Sequence, residues 1–273
     1  MYNAFFGFTE SPFNLSPDPN FLYRSSQHEE ALANLTYGVE NRKGFIVLSG
    51  EVGTGKTTML ECLRDHLTEK NIPFSFVCNT KLTPDQFFEL IAYDLDLKCA
   101  ADSKTQVLVS LQQYLLQQAT RGNTTALLVD EAHDLSWDVL EEIRMLGNLE
   151  NRTGKLLQIV LAGQPELDRK LDAPNLRQLR QRVVLRYELR AFNEEQTVEY
   201  IQARLTRAGL AEQSIFPRQI LAAIHCRTQG IPRVLNIMCD NLLLTAFALG
   251  QKTVTEKMLD EVTADMRLDW PAR

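Results

Sequence analysis

A glycine-rich run from Gly50 to Thr57 limits the folds open to this chain more than any other feature. Its spacing, Gly-x4-Gly-Lys-Thr, is that of a phosphate-binding loop, in which glycines allow backbone N–H groups to surround an anion. The apolar run Phe45–Leu48 predicts a buried strand directly before the loop. Apolar residues at helical spacing from Thr57 to Glu69 predict a helix directly after it. Because the motif requires this order of strand, loop and helix, the sequence predicts an α/β nucleotide-binding domain.

The residue types in this loop indicate which ligand it binds. The N-terminus of a helix favours an anion, and Lys56 is placed to reach the β- and γ-phosphates of a nucleotide. The Thr57 hydroxyl is expected to ligate Mg2+. We therefore expect ATP and Mg2+ as ligands. The predicted nucleotide-binding residues of the loop are Gly50, Glu51, Val52, Gly53, Thr54, Gly55, Lys56, Thr57 and Thr58.

A second motif follows an apolar run later in the chain. The run Ala126–Val129 predicts a strand that ends at the adjacent carboxylates Asp130 and Glu131. By itself, such a pair is usually the solvated end of a strand. Beside a phosphate-binding loop, Asp130 is expected to hold the hydrated Mg2+, and Glu131 is expected to activate the attacking water. The two motifs together predict an ATPase that forms ADP and phosphate.

Short apolar runs alternate with helical periodicity up to Arg190, and only helical periodicity follows. This alternation favours a mainly parallel sheet of five strands with helices on both faces. We expect a nucleotide-binding core over 1–190, which includes an aromatic and proline-rich segment at 1–24, and an all-helical region over 191–273. One of the core helices is predicted at Trp137–Glu150. The predicted strands are Phe45–Leu48, Phe74–Cys78, Ala126–Val129, Leu156–Leu161 and Val183–Leu189.

The composition is that of a folded protein, with 44% apolar and 23% charged residues. The net charge of −6 repels polyanions, so binding to nucleic acid would need a local basic surface. The amino terminus has no basic region of the kind found in secretory signals. The longest apolar stretch, 242–249, is about half of the ~18 residues that a membrane-spanning helix needs. We expect a cytoplasmic protein that does not insert into membranes.

These motifs resemble those of the AAA+ ATPases, and more closely those of the bacterial ExeA family (general secretion pathway protein A) with its relatives among the transposition ATPases. The resemblance covers nearly the whole chain, and it implies a nucleotide-binding core followed by a helical lid. The residues that carry it are Phe6–Phe8, Ser11–Phe13, Gly50–Thr58, Leu128–His133, Leu161–Leu167 and Gly230–Arg233.

The resemblance also implies roles for residues outside the two motifs. Gln164 is similar to the sensor that polarises the γ-phosphate or its attacking water, and the alternative is a glutamine in an ordinary turn. Arg233 is similar to the lid arginine that touches the γ-phosphate of its own subunit, and the alternative is a surface charge. In the N-terminal segment, Phe13, Leu22 and Tyr23 either lie near the adenine base or belong to rings that only cover the edge of the sheet.

A basic run stands out in this acidic protein. In AAA+ rings, an arginine at the end of the helix before the last core strand reaches the ATP of the neighbouring subunit. Arg180 and Arg182 both occupy that place, and the sequence does not decide between them. The alternatives are a solvated cationic face and a stripe that faces DNA. The run consists of Arg169, Lys170, Arg177, Arg180, Arg182, Arg186 and Arg190.

The resemblance implies ATP hydrolysis at the subunit interfaces of a homo-oligomer, either a ring or a filament, which assembles or remodels a partner complex. In the ExeA family this task is the assembly of an outer-membrane secretion channel through the cell wall. Family members with this task continue into a membrane span and a cell-wall-binding domain, whereas this sequence ends at Arg273. We therefore expect a separate, membrane-bound partner in secretion or in the export of envelope polysaccharide.

A different class of function is also open. The transposition-type relatives imply an ATP-dependent scaffold on DNA that recruits a transposase or a similar enzyme. A nucleotide switch with negligible turnover is a third reading, which the presence of Glu131 disfavours.

Overall fold

The computed structural model of the protein describes residues 1–15, 23, 25–98, 103–152, 154–210 and 215–267. These residues form two compact units. The core body comprises Ser26–Val52 and Lys56–Leu189. The helical body comprises Met1–Ser25, Gly53–Gly55 and Arg190–Arg273, so the tip of the phosphate-binding loop belongs to it by its contacts.

The secondary structure of the described residues is mainly helical. Among these residues, no helix combines the length and the apolar character that crossing a bilayer demands. The helices are α1 (Tyr2–Phe6), α2 (Ser26–Glu40), α3 (Lys56–Glu69), α4 (Pro84–Asp94), α5 (Lys104–Thr120), α6 (Trp137–Leu146), α7 (Pro165–Leu171), α8 (Arg177–Arg180), α9 (Glu194–Arg207), α10 (Arg218–Thr228), α11 (Pro232–Ala248) and α12 (Glu256–Asp265). The strands are β1 (Phe45–Gly50), β2 (Phe74–Val77), β3 (Thr125–Val129), β4 (Glu150–Asn151), β5 (Gly154–Lys155), β6 (Leu157–Gly163) and β7 (Val183–Leu189).

The core body is built on a five-stranded sheet in the order β2-β3-β6-β1-β7. Every neighbouring pair in this sheet is parallel. All residues of β1, β3 and β6 are buried, as expected for central strands that helices cover on both faces. The predicted fold class, an α/β fold with a mainly parallel five-stranded sheet, is confirmed.

The strand order places the carboxyl ends of β1, β6 and β3 side by side. The phosphate-binding loop leaves β1, the pair Asp130-Glu131 follows β3, and Gln164 follows β6. Ligands bind at this edge in open parallel sheets, because loops and helix N-termini converge there. Three segments that are far apart in the sequence therefore meet at one edge.

The predicted helix Trp137–Glu150 is too long, since α6 ends at Leu146. Gly147 follows it, and a Cβ atom at this position would lie only 2.2 Å from the Phe45 ring. The chain then forms the short antiparallel pair of β4 and β5, which the sequence did not predict. Glycine is common directly after the last residue of a helix, so Gly147 was a usable signal for the end of α6.

The N-terminal residues pack within the helical body, which corrects their predicted position on the core. Phe6, Phe8 and Phe13 are buried in one apolar cluster with residues of α9 to α12. The segment also contains a short helix, α1, where an irregular chain was predicted. The rings therefore belong to the core of the helical body, whereas Leu22 lies outside the described residues.

Polar contacts tie the segment to the same body. The Tyr2 hydroxyl donates a hydrogen bond to the Asp240 carboxylate on α11. The Thr9 N–H donates to the Ala208 carbonyl oxygen at 2.8 Å. The Tyr23 hydroxyl donates to the Glu199 carboxylate on α9, and its ring makes edge contacts with Phe192 and Tyr200. Both ends of the segment are thus attached to the helical body.

The Tyr23 contact predicts a loss of stability at alkaline pH. Desolvation and the Glu199 carboxylate raise the pKa of Tyr23 to about 12, above the value of about 10 for an unfolded chain. Because the folded state keeps this proton longer, the stabilisation is complete below about pH 10 and is lost as the pH rises towards about 12. We expect the free energy of unfolding to fall less steeply in Tyr23→Phe than in the wild type, measured by urea denaturation at several pH values. Tyr93→Phe, which changes an exposed tyrosine, is the control, and equal slopes in all three proteins would contradict the assignment.

Candidate nucleotide site

The phosphate-binding loop turns sharply between β1 and α3. Gly53 has φ 81 and Gly55 has φ 105, a left-handed region that residues with a side chain rarely adopt. The loop can therefore keep this shape only with glycine at both positions. The loop ends at Lys56, which is the first residue of α3.

The Lys56 ammonium lies beneath this loop, and the residue is only 6% exposed. Its Nζ donates hydrogen bonds to the carbonyl oxygens of Gly50 at 2.8 Å and Glu51 at 3.0 Å. Burial lowers the pKa of Lys56, and the nearby carboxylates of Glu131 and Asp130 oppose this effect. The loop thus holds a desolvated amine whose bonding partners are mainly neutral carbonyls.

A hydrogen bond links the start of α3 to the end of β3. The Thr57 hydroxyl donates to Oδ2 of Asp130 at 2.8 Å, while Oδ1 of Asp130 accepts from the Glu131 N–H at 2.9 Å. Asp130 is only 5% exposed. Mg2+ prefers oxygen ligands, which both of these side chains offer. In proteins the ion is usually held by only one or two carboxylates, so the single Asp130 carboxylate suits it. These two side chains therefore fit a Mg2+ ion.

Glu131 adopts an unusual backbone conformation at the end of β3. Its φ of 49 and ψ of 38 are left-handed, which is strained for a residue with a side chain. Its Oε2 atom is buried and has no hydrogen-bond partner among the described residues. The Nδ1 atom of His133 approaches this oxygen at 3.4 Å. The carboxylate thus lies at the carboxyl edge of the sheet with one oxygen buried against His133, although its side chain is 45% exposed as a whole.

Gln164 directly precedes α7, at the end of β6. Its backbone N–H donates to the Nδ1 atom of His133 at 3.4 Å. Its side chain makes no capping bond to α7. The sheet thus brings Gln164, Glu131 and the loop to one edge.

Arg233 belongs to the helical body and lies in the first turn of α11. Its side chain is exposed, and its N–H donates to the Gly53 carbonyl oxygen at 3.2 Å. Gly230 shortly before it has φ 68, and a Cβ atom there would lie 2.0 Å from the Phe192 carbonyl oxygen. Two glycines therefore approach other backbone closely near Arg233. Gly53 accepts the hydrogen bond from its N–H, and Gly230 lies against the Phe192 carbonyl.

The two candidate arginines before β7 differ in their surroundings. Arg182 donates from its guanidinium to the Arg144 carbonyl oxygen at 2.8 Å. Arg180 ends α8 with a side chain that is 44% exposed, and it makes a long ion pair of 3.4 Å with Asp172. Arg182 is thus bound to α6 of its own chain, whereas Arg180 is held loosely.

Other cations of the basic run are also paired within the core body. Arg169 contacts Glu166 at 3.2 Å, and Arg186 contacts Asp168 at 3.1 Å. The run is therefore interleaved with carboxylates and does not present a uniform cationic surface.

A family model described as an AAA domain matches residues 39–171. The chain belongs to the AAA+ family. It is 43% identical over 256 residues to general secretion pathway protein A of Aeromonas hydrophila. The alignment covers 93% of this AAA+ chain and 46% of that protein, so the chain spans about half the length of this curated relative. The resemblance to the ExeA family is confirmed.

Solved structures support the same assignment at the level of the fold. The ORC2 protein of Aeropyrum pernix, solved as ADPNP-ADP complexes, has a TM-score of 0.69 and 14% identity, with 97% of this chain and 73% of that chain covered. Drosophila ORC bound to DNA has a TM-score of 0.67 and 20% identity, with 94% and 64% covered. At these identities the likeness shows the AAA+ fold alone.

Two residues beside the site have no role of their own in the sequence analysis. The structure places His133 between Glu131 and Gln164. Lys170 was counted only as part of the basic run, although its ammonium binds the carbonyl oxygens of His133 and Leu135. The position of His133 two residues after Glu131 was a usable signal, but nothing in the sequence marks a backbone acceptor for Lys170.

The close contact at Gly230 predicts a severe effect of Gly230→Ala on the helical body. The new methyl group would meet the Phe192 carbonyl in a backbone that already disfavours it, which we expect to cost about 3 kcal/mol or more. Gly250→Ala is a matched control, since Gly250 has φ 65 and open space around it, so only the backbone cost of about 1–2 kcal/mol applies. Urea denaturation followed by circular dichroism measures both values. Equal losses in the two variants would show that the contact with Phe192 does not matter.

Proposed function

We propose that this AAA+ protein binds ATP with Mg2+ at the carboxyl edge of the sheet and hydrolyses it to ADP and phosphate. The observation that carries this proposal is the junction of three groups at that edge. The Thr57–Asp130 hydrogen bond provides an oxygen pair for a cation, Glu131 keeps an unpartnered carboxylate oxygen, and Lys56 brings a buried ammonium. The proposed nucleotide-binding residues are those of the loop and Arg233.

The loop recognises the phosphates through backbone N–H groups and Lys56. Among the described residues, the ammonium donates to the carbonyl oxygens of Gly50 and Glu51. Phosphate oxygens are stronger acceptors, and charge-assisted hydrogen bonds are about twice as strong as neutral ones. Lys56 therefore favours the phosphates of a nucleotide over these neutral carbonyls.

Thr57 and Asp130 would hold Mg2+ through their facing oxygens. When bound, the ion neutralises charge on the phosphates during transfer. Asp130 needs no large movement for this role, because its second oxygen stays fixed by the Glu131 N–H. The same hydrogen bond joins the metal-binding residue to the residue that handles the proton.

Glu131 acts as the general base. Its carboxylate accepts a proton from a water molecule, whose oxygen forms a bond to the γ-phosphorus while the bond to the ADP oxygen breaks. Gln164 lies at the end of the neighbouring strand and orients the water or the γ-phosphate through its side-chain amide. The P–O bond from the water forms in line with the P–O bond to ADP that breaks, and the products are ADP and phosphate.

Arg180 is the residue that we assign to the ATP of a neighbouring subunit. Its exposed guanidinium is released by breaking one long ion pair with Asp172, a contact that is worth little on a surface. Arg182 would have to leave the Arg144 carbonyl, which favours a structural role for it. We therefore propose a homo-oligomer, either a ring or a filament, in which neighbouring subunits share active sites.

The relationship to general secretion pathway protein A supports a role in secretion. We propose that nucleotide turnover in the cytoplasm assembles or remodels a membrane-bound component of an envelope secretion or export complex. A DNA-bound scaffold that recruits a transposase is the alternative. The carboxylates interleaved with the basic run make that alternative less favourable, because they oppose the contacts with phosphates that DNA binding requires.

The Glu131 proposal predicts that Glu131→Gln binds ATP but turns it over at least about 100-fold more slowly, since the amide cannot accept the proton. Calorimetry measures the affinity for ATP·Mg2+, and phosphate release measures turnover. Lys56→Ala is expected to lose the affinity itself, and Glu89→Gln, an exposed carboxylate on α4, should behave like the wild type. Binding without turnover in the wild type would indicate a nucleotide switch instead.

The assignment of Arg180 predicts complementation between two inactive proteins. Lys56→Ala subunits lack their own nucleotide but supply Arg180, while Arg180→Ala subunits keep an intact loop. We expect a mixture of the two to recover part of the turnover in a phosphate-release assay, because mixed interfaces contain one complete site. If the mixture stays inactive while Lys56→Ala mixed with Arg182→Ala recovers, Arg182 is the shared residue.

A further inference from the structure

Helix α7 is bonded to the turn after Glu131 at both of its ends. At its start, the Gln164 N–H donates to Nδ1 of His133 at 3.4 Å. Near its end, the Lys170 ammonium donates to the carbonyl oxygen of His133 at 2.9 Å and to that of Leu135. Gln164 and Lys170, at the two ends of α7, thus both donate hydrogen bonds to His133.

Carbonyl oxygens and an aromatic ring surround the Lys170 ammonium. The ammonium lies over the Trp137 ring, 5.4 Å from the ring centroid, in addition to the two carbonyl contacts. Desolvation by burial lowers the pKa of Lys170, and the Asp134 carboxylate opposes this effect. Its neighbour Arg169 instead points a largely exposed side chain at Glu166. These adjacent cations on one helix therefore have different surroundings, and only Lys170 is directed at the turn.

The His133 ring lies directly beside Glu131. Its Nδ1 accepts from the Gln164 N–H at 3.4 Å and lies 3.4 Å from Oε2 of Glu131, while its Nε2 lies 3.7 Å from Oδ1 of Asp134. The imidazole thus lies between the residue before α7 and two carboxylates of the turn, so its position bears on the position of the Glu131 side chain.

Backbone packing around the turn is also tight. A Cβ atom on Gly163 would lie 3.2 Å from the His133 backbone nitrogen and 3.1 Å from Cβ of Leu167. The end of β6, the start of α7 and the turn therefore lie within van der Waals contact. A displacement of Gln164 would be passed to His133 directly.

We propose that Lys170 and His133 are positioning residues, which clamp the turn Glu131–Leu135 to α7 and so hold Glu131 in register with Gln164. The clamp couples the residue that senses the γ-phosphate to the residue that accepts the proton. This inference rests on the proposed ATPase activity. It differs from the proposed catalytic set, because neither side chain has to touch the nucleotide.

The first test is steady-state kinetics on Lys170→Met, which keeps the apolar stem and removes the charge. We expect kcat to fall about 10-fold to 100-fold, as for a catalytic group displaced by about 1 Å, while KM for ATP changes less than about twofold. Lys170→Arg should recover most of the rate because it keeps the donors, and Arg169→Met should match the wild type. A rise in KM as large as the fall in kcat, together with a lower melting temperature, would overturn the positioning role. An unchanged kcat would overturn it as well.

The second test needs no turnover. Amide hydrogen exchange measures local opening, and we expect faster exchange over residues 132–136 in nucleotide-free Lys170→Met than in the wild type or Arg169→Met. Exchange that stays unchanged there overturns the clamp. If the wild type itself hydrolyses no ATP, the proposed function fails on that result, whereas the exchange measurement still decides the clamp.

A second pair of variants applies if Lys170→Met does not fold. His133→Ala removes the acceptor for the Gln164 N–H, whereas His133→Asn offers a side-chain oxygen in its place. We expect His133→Ala to lower kcat at nearly constant KM and His133→Asn to restore part of the loss. Identical kinetics in the two variants would count against coupling through this hydrogen bond.

Discussion

The arrangement of the site depends on a single hydrogen bond, from the Thr57 hydroxyl to Asp130 across 73 residues of sequence. It joins the first turn of α3 to the end of β3, although β6 lies between β1 and β3 in the sheet. Two strand spacings amount to about 10 Å, and Thr57 reaches Asp130 across them from the first turn of α3. Parallel pairing makes this possible, because it brings the carboxyl ends of the three strands to one edge. The buried Lys56 and the free oxygen of Glu131 owe their proximity to the same register.

Much of the core body could be predicted because its determinants are local. Central parallel strands are continuous apolar runs, and the loop motif marks where one strand becomes a helix, so β1, β3 and β7 and the motif residues followed from the printed sequence. The end of α6 was missed because apolar periodicity alone was followed, whereas the close approach of Gly147 to the Phe45 ring, far away in the sequence, is visible only in the structure. The N-terminal rings were assigned to the core, since aromatic spacing indicates burial but not the surface that provides it. Lys170 was overlooked for a related reason: its partners are backbone carbonyls, and every residue has one.

The choice between Arg180 and Arg182 shows how a contact adds what spacing lacks. Both residues stand at equivalent places before β7, and residue type alone treats them equally. The Arg144 carbonyl at the end of α6 distinguishes them, because it occupies one guanidinium and leaves the other near the surface. The same helix end, at Gly147, therefore bears on which of the two arginines keeps an exposed guanidinium. An error of a few residues in a helix boundary would have concealed this difference.

The lysine beneath the loop also affects how the protein can be handled. Its two carbonyl partners are neutral, and a small tetrahedral anion has the charge and the acceptor oxygens that the ammonium and the loop N–H groups favour. Sulfate or inorganic phosphate in a purification buffer would bind at the phosphate-binding loop and compete with nucleotide. Apparent affinities would then report the buffer as much as the protein, and a chloride buffer of modest ionic strength is the sounder reference state.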